Sequence, residues 1–173
     1  TLLVGAVHHT IASSVYKKLP YDFQKDLAPI TTIALVPNVL VVNSATPAKN
    51  VAELVALLKA QPGKYNYGSN GNGTAQHLIG TQFSKLAGVD ILHVPYRGGA
   101  PALTDMLSGV MQVMFDNLPT CAEHVKSGKL RGLAVTTAGR FRTAPELPTI
   151  AESGVPGFDV SSWFAFFAPA QTP

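Results

Sequence analysis

The 173-residue sequence is 46% hydrophobic and only 13% charged, which provides for a sizeable core and excludes a disordered tail or a long charged coiled coil. Thirteen Lys and Arg against ten Asp and Glu leave a net charge of +3, and these cations are scattered, so no basic stripe favours nucleic acid as a partner. The single cysteine, Cys121, excludes an intramolecular disulfide and any metal site that needs several cysteines.

The apolar runs and the ends of the sequence bear on where the protein is located. No run reaches the roughly 18 apolar residues that predict a membrane-spanning helix. Thr1–Gly5 begins inside a strand-like run, and Thr172-Pro173 is a pair that commonly begins a helix. We therefore expect the chain to be a piece of a larger protein, from which any signal peptide is already absent.

Short apolar runs alternate with amphipathic stretches along the chain, a pattern typical of α/β folds. Strands are predicted over Leu2–Ala6, Ile30–Val42 (two segments that meet at a kink at Pro37), Tyr65–Tyr67, Ile91–Val94, Val110–Phe115, Leu130–Thr136 and Ser161–Ala168. Helices are predicted over Thr10–Lys18, from Val51 to the Gln61-Pro62-Gly63 stop, and over Thr74–Ala87, Ala100–Leu107, Pro119–Lys126 and Thr149–Ser153. The repeated helix-then-strand block Asn43–Leu130 predicts a parallel-sheet lobe, and the flanking segments would form part of a second lobe.

The strongest local signal is Tyr67-Gly68-Ser69-Asn70-Gly71-Asn72-Gly73-Thr74, a glycine-rich turn between a predicted strand and a predicted helix. Glycines let the backbone approach a ligand closely, and free amides at the start of a helix attract an anion. Ser69 and Thr74 would add hydroxyl donors. Nucleotide binding is disfavoured, because Thr74 stands where a P-loop needs Lys and the glycine gaps of the Rossmann motif are reversed. The turn therefore favours a carboxylate, and a plain capped turn is the alternative.

Further candidate residues follow other predicted strands. Tyr96, in the second glycine-containing turn, is predicted to wall a pocket, and Arg97 beside it to be a solvated cation. Asp116 either orients a ligand or caps the next helix. His77 lies one helical turn beyond the glycine turn and either points at the ligand or packs between elements, whereas His93 alternates with core residues and is predicted to be structural.

Residues able to carry out catalysis form no complete constellation. His8 and His9 are adjacent and would face opposite ways in a strand, so they cannot share a metal ion. Cys121 and His124 lie three residues apart on one predicted helix and keep an alternative function open, an enzyme of acyl or phosphoryl transfer that uses the same glycine turn. The competing interpretation is a buried, unreactive thiol. We expect no metal and no cofactor.

Six segments occur together in one order: Tyr16–Asp22, Tyr67–Leu78, Val94–Asp105, Met114–Pro119, Leu147–Gly154 and Ala168–Pro173. In these segments, which extend over essentially the whole chain, the sequence resembles the periplasmic solute receptors of tripartite tricarboxylate transporters, also called the Bug receptor family. The resemblance implies an α/β, type II periplasmic-binding-protein-like fold with two lobes. The second lobe, 38–134, would be mainly complete, and the first lobe, 1–37 and 135–173, would be partial.

The resemblance also implies a function. The protein would be a periplasmic receptor rather than an enzyme, capturing a small carboxylate or dicarboxylate between its lobes and delivering it to the membrane permease subunits of the transporter. The Ser69–Thr74 turn would correspond to the carboxylate-gripping loop of the family. The expected ligand-binding residues are Ser69, Asn70, Gly71, Gly73, Thr74, His77, Tyr96, Asp116 and His8. Family members begin with a further strand and a Pro-Gly-Gly loop that this sequence lacks, so its incomplete sheet edges would allow two copies to pair as a dimer.

Overall fold

The computed structural model describes residues 1–172; Pro173, which the sequence predicts in the first turn of a helix, lies outside the described residues. Its strands are β1 (Leu3–Ala6), β2 (Leu27–Asn43), β3 (Asn66–Ser69), β4 (Leu92–Pro95), β5 (Val113–Asn117), β6 (Leu130–Val135) and β7 (Ser161–Pro169). Its helices are α1 (Val7–Val15), α2 (Phe23–Asp26), α3 (Val51–Ala60), α4 (Ala75–Ala87), α5 (Gly99–Ser108) and α6 (Leu118–Lys126). The alternation of helices and strands confirms the predicted α/β class.

The 17-residue strand β2 belongs to two sheets. Its first part, Leu27–Pro37, pairs antiparallel with β7, and its second part, from Asn38 onward, pairs antiparallel with β5 and β6. The predicted kink at Pro37 is therefore not a break in the strand. Pro37 instead marks where β2 changes partners, a position that suits a residue without a backbone N–H group.

The two sheets differ in strand direction. In the first sheet β7 lies between β1 and the first part of β2, and all three strands are antiparallel, which confirms the central position predicted for Ser161–Ala168. In the second sheet the order is β6-β2-β5-β3-β4. Strands β3, β4 and β5 are parallel, as predicted, but β2 runs against both of its neighbours, so this sheet is mixed.

Two apolar clusters cover the faces of the second sheet. Alternate residues of β2 contribute to each: Leu40 and Val42 to one cluster, Val39 and Val41 to the other. The first cluster includes buried residues of α3 and α4, and the second includes Met106 of α5 and Cys121 of α6. Layers of helix on both faces of this sheet therefore hold the strand ends of β3 and β5 in place.

The inward face of α4 differs from the prediction. Phe83 is buried as expected, but Leu78 and Leu86 are exposed, and Ile79 takes the buried position one turn before Phe83. The helix is oriented by Gly80, where a Cβ atom would lie 2.1 Å from Cε2 of Tyr67. Because Gly80 lets α4 approach β3 this closely, the Ile79–Phe83 face turns toward the sheet.

Helix α1 begins three residues earlier than predicted, directly after β1. His8 and His9 consequently lie in the first turn of a helix rather than on opposite faces of a strand, and their ring centroids are 4.1 Å apart. Thr149–Ser153, also predicted as a helix, is a single hydrogen-bonded turn. Thr149 and Glu152 cap each other's backbone amides there, and Gly154 and Pro156 prevent further turns from forming.

Gly80→Ala is expected to destabilise the protein, although alanine is the better helix former, because the added methyl group would overlap the buried Tyr67 ring. Overpacking of this kind costs roughly 1–3 kcal/mol of unfolding free energy, which denaturant titration would measure. Gly139→Ala is the control, since nothing lies within 4 Å of a Cβ atom there. Equal stabilities for the two variants would contradict the close approach of α4 to β3.

Candidate functional site

A cavity of about 250 Å³ lies between the two sheets. It is bordered by the junction of β1 and α1, the turn that leads into α4, the end of β5 and the start of β7. The lining residues are Ala6, Val7, His8, Asn70, Thr74, Ala75, Gln76, Asn117, Ser162, Trp163 and Phe164. Of the residues predicted to bind a ligand, His8, Asn70 and Thr74 are thus brought together, although they are far apart in sequence.

The hydroxyl groups of the glycine-rich turn already have hydrogen-bond partners within the protein. Ser69 is fully buried, and its Oγ lies 2.7 Å from Nε2 of His93 and 3.1 Å from both the N and O atoms of Gly71. Thr74 Oγ1 donates a hydrogen bond to the Gly71 carbonyl at 2.7 Å. Both hydroxyls, which the sequence predicts as donors to a ligand, thus already have partners within the protein and shape the turn. Gly71 and Gly73 have φ values of +132° and +76°, which favour glycine.

The main-chain amides at the start of α4 have a different arrangement. Thr74 is the N-cap, and within residues 1–172 the N–H groups of Ala75 and Gln76 have no hydrogen-bond acceptor. Both residues are buried and line the cavity. Asn70 also borders it, with a buried Oδ1 atom that has no hydrogen-bond partner in the part of the chain that the structure describes. Two free donors at the positive end of a helix dipole make this part of the cavity suited to an anion.

Two histidines that are not among the cavity-lining residues contact the turn. His77 Nδ1 accepts a hydrogen bond from the Gly73 amide at 3.1 Å. Its ring stacks on His93 with centroids 4.1 Å apart and planes 9° apart, and His93 stacks in turn on Tyr67. Removal from water lowers the pKa of both histidines, and the pKa of His93 falls to about 4 with a further contribution from His77. The structure places His77 in this stack and not in the cavity lining.

Tyr96 and Asp116 also lie outside the cavity lining. The Tyr96 hydroxyl donates to Asp105 Oδ2 at 2.7 Å, and the Tyr96 ring packs against the core cluster that contains Met111. Burial, and then the hydrogen bond to Asp105 and its charge, raise the pKa of Tyr96 to about 12. Asp116 is buried and accepts hydrogen bonds from the Asn117 amide and the Thr120 hydroxyl, so its carboxyl group is engaged at the start of α6. Burial raises the pKa of this carboxyl. In β5 it is the next residue, Asn117, that borders the cavity.

Sequence reasoning missed the polar residues on the β5 and β7 side of the cavity. Asn38, fully buried where β2 changes sheets, donates from Nδ2 to Asn117 Oδ1 at 3.0 Å and accepts at Oδ1 from Ser162 Oγ at 2.9 Å. Asn117 and Ser162 both line the cavity. An asparagine within an apolar strand is a signal that could have indicated this network, because a buried amide side chain needs several partners.

The cavity lining carries no fixed charge in the part of the chain that the structure describes: His8 is its only titratable side chain. Burial, and then the neighbouring His9, lower the pKa of His8. A larger open groove of about 560 Å³ lies between α1 and α2, but the free amides of α4 do not border it. Attraction of an anion into the smaller cavity therefore depends on main-chain dipoles and not on a lysine or arginine.

Known proteins share the sequence pattern and the fold of this chain. A sequence profile of the tripartite tricarboxylate transporter family receptor matches residues 1–173. BugT of Bordetella pertussis is 37% identical over 99% of this chain and 53% of its own length. The structure of R. palustris Rpa4515 with adipate has a TM-score of 0.93 and 39% identity, covering 100% of this chain and 58% of that protein. The structure of MatC from Rhodopseudomonas palustris with bound malate has a TM-score of 0.91 and 28% identity, covering 100% of this chain and 59% of that protein.

The chain thus spans about half the length of the curated relatives it matches. These structures confirm the periplasmic-binding-protein fold expected from the resemblance. Across residues 1–172, none of the helices combines the length and the apolar character needed to cross a bilayer. The same residues contain no group of three potential ligands that could hold a metal ion.

The alternative of an enzyme that uses Cys121 and His124 is wrong. Cys121 is fully buried, its Sγ faces the Leu118 carbonyl at 3.7 Å, and burial together with Asp116 raises the pKa of the thiol to about 12. Nucleophilic attack needs the thiolate, which this environment disfavours. The matched family is one of receptors.

Cys121 is expected to resist thiol reagents while the protein is folded, because reagent and hydroxide cannot reach a buried, protonated sulfur. As the chain has one cysteine, the rate of absorbance change with a disulfide reagent reports on this side chain alone. The rate should rise by at least two orders of magnitude in denaturant. A native rate equal to the denatured one would show that the thiol is accessible.

Acidification is expected to lower the thermal stability of the fold through His77 and His93. Their pKa values are below the ordinary 6.5, so between about pH 6.5 and pH 4 the unfolded chain binds protons that the folded chain excludes. Stability should therefore be independent of these groups above pH 6.5 and fall as the pH drops toward 4. Thermal unfolding of wild type and His93→Gln at pH 7 and pH 4.5 tests this, and an equal loss in both proteins would contradict it.

Proposed function

The chain belongs to the receptor family of the tripartite tricarboxylate transporters, and from this premise we propose that it captures a small carboxylate or dicarboxylate solute in the cavity between its two sheets. The observation that carries the proposal is that Ala75 and Gln76 line that cavity at the start of α4, with N–H groups that have no acceptor among the described residues 1–172. One carboxylate group fits two adjacent amide donors, and the helix dipole adds to the attraction.

The remaining lining determines how the rest of the solute is held. Trp163 and Phe164 supply apolar wall on the β7 side, while Gln76 and Asn117 supply amide groups. Adipate and malate, bound in the two similar structures, are dicarboxylates of different length and polarity. Both are therefore suitable first probes for this chain.

The two sheets belong, in this proposal, to two lobes that meet at the cavity, with residues 1–37 and 135–173 in one lobe and residues 38–134 in the other. The lining supports this division, because Ala6 and Ser162 belong to the first sheet and Asn117 to the second. Solute between the lobes loses contact with water, which strengthens its hydrogen bonds to the amides. Closure on the solute would then mark the loaded state of the receptor.

The whole protein acts, we propose, in the periplasm and delivers its solute to the membrane permease subunits of a tripartite tricarboxylate transporter. Membership of the receptor family supports both steps. Pairing of two copies through β1 is a further proposal. In the described residues β1 pairs only with β7, and Leu3 and Val4 on this strand are exposed.

Ala75→Pro provides a direct test, because proline removes one proposed solute-binding N–H group at the first position of a helix, where proline is tolerated. Thr74, at φ −81° and ψ 166°, already has the extended conformation that a following proline requires. We expect loss of one charge-assisted hydrogen bond, on the order of 1.5–3 kcal/mol or at least tenfold in affinity, measured by titration calorimetry with adipate and malate.

Ala75→Gly is the matched control, since it keeps the N–H group and removes only a methyl; its affinity should stay within about threefold of wild type, as no hydrogen bond is lost. Because the chain spans about half the length of its relatives, the measurement should use the longest reading frame that contains this sequence. Equal affinities for the proline and glycine variants would overturn the role of the Ala75 amide. Absence of saturable carboxylate binding by wild type would overturn the proposed function.

A further inference from the structure

The stacked histidines make hydrogen-bond contacts with the glycine-rich turn at two points. His77 Nδ1 accepts from the Gly73 amide at 3.1 Å, one residue before the N-cap of α4. His93 Nε2 lies 2.7 Å from Ser69 Oγ, and that hydroxyl in turn contacts both backbone groups of Gly71. Because the rings of His77 and His93 stack on each other, a shift of one ring would also disturb the contact made by the other. The positions of Gly71 and Gly73 thus depend on α4 and β4 through two imidazole rings.

We propose that His77 and His93 are positioning residues for solute binding, which keep the turn in the conformation that leaves the Ala75 and Gln76 amides free. This inference rests on the proposed function of the same cavity. Neither histidine is among the residues that line the cavity, so each acts through the turn and not on the solute. If the Gly73 amide lost its acceptor, the start of α4 would be free to shift relative to the cavity.

The contact to Gly73 exists only while His77 is neutral. Nδ1 must present a lone pair to accept from an amide. In a protonated ring Nδ1 carries a hydrogen, which would face the Gly73 N–H group and break the hydrogen bond. A second positive charge on His93, stacked 4.1 Å away, would add repulsion. We therefore infer that acidification loosens the turn and weakens solute binding.

Few other titratable groups face the histidine pair. Tyr67 of β3 stacks on His93, and Tyr16, which follows α1, lies against Gly73 with its hydroxyl 3.4 Å from the Asn72 carbonyl. Over residues 1–172 no ion pair joins either histidine to a carboxylate. His8 lines the cavity itself, and its protonation would attract an anion. Acidification would therefore strengthen binding through His8 and weaken it through the stacked pair, so the two effects have opposite signs.

The experiment compares substitutions that keep the hydrogen bonds with one that removes them. The Asn side chain of His77→Asn can place an acceptor near the position of Nδ1, and the Gln side chain of His93→Gln can place an amide group, which both donates and accepts, near the position of Nε2. Neither replacement titrates. The variants are the double substitution His77→Asn with His93→Gln, the single substitution His77→Leu, and His124→Gln on α6 as a histidine control away from the turn. Calorimetry with malate at pH 7.5, 6.5, 5.5 and 4.5 uses the longest reading frame that contains this sequence.

At pH 7.5 we expect His77→Leu to bind malate about tenfold more weakly than wild type, and the double variant to stay within about threefold. Between pH 7.5 and 4.5 wild type and His124→Gln should lose about tenfold more affinity than the double variant. Protonation of malate itself cancels in that comparison. Thermal unfolding of each variant at each pH checks that the binding protein is folded. If the leucine variant does not fold, the pH profiles of wild type and the double variant decide the question.

Two outcomes would overturn the inference. One is His77→Leu binding malate as tightly as wild type at pH 7.5. The other is a double variant that loses affinity on acidification as steeply as wild type. Failure of the proposed function is distinguishable, because wild type would then bind neither malate nor adipate at pH 7.5, whatever the histidines do.

Discussion

Ala75 and Gln76, two buried residues at the start of α4, line a cavity, and among residues 1–172 their main-chain N–H groups have no acceptor. A buried donor that stays unpaired costs about 1–3 kcal/mol, so a fold keeps one only where something else can use it. Much of the surrounding structure maintains this condition. The Ser69 and Thr74 hydroxyls both bond to the Gly71 carbonyl, Ser69 also contacts His93 of β4, and Gly71 and Gly73 adopt backbone angles that suit glycine.

The cavity also requires that the first sheet lie opposite those amides, and β2 provides this arrangement. One continuous strand passes from the first sheet to the second at Pro37 and Asn38, so the backbone of β2 links the two sheets directly. At the crossing, Asn38 joins Asn117 of β5 to Ser162 of β7 by hydrogen bonds. The same network that connects the sheets therefore also forms one side of the cavity, which couples the arrangement of the sheets to the shape of the site.

Most elements could be predicted from the sequence, and the errors have specific physical causes. Alternating apolar residues and capping signals located α3, α4 and β7 to within a few residues. Helix α1 was placed too late, because the short apolar run Leu2–Ala6 has no turn signal where strand gives way to helix. On α4 periodicity allowed more than one inward face, and the choice depended on the close contact of Gly80 with Tyr67, which belongs to another element.

The sequence by itself determined the glycine-rich turn before α4, since glycine spacing and an N-cap threonine are local properties of a short segment. It also determined which strand ends carry polar residues. Only the tertiary structure decided which of those residues reach the cavity. His8, Asn70 and Thr74 do, whereas Asp116 accepts from Thr120 of α6 and Tyr96 donates to Asp105. The physical reason is that a side chain's hydrogen bonds and its burial depend on neighbours distant in sequence, and these neighbours are set by how the sheets and helices pack together.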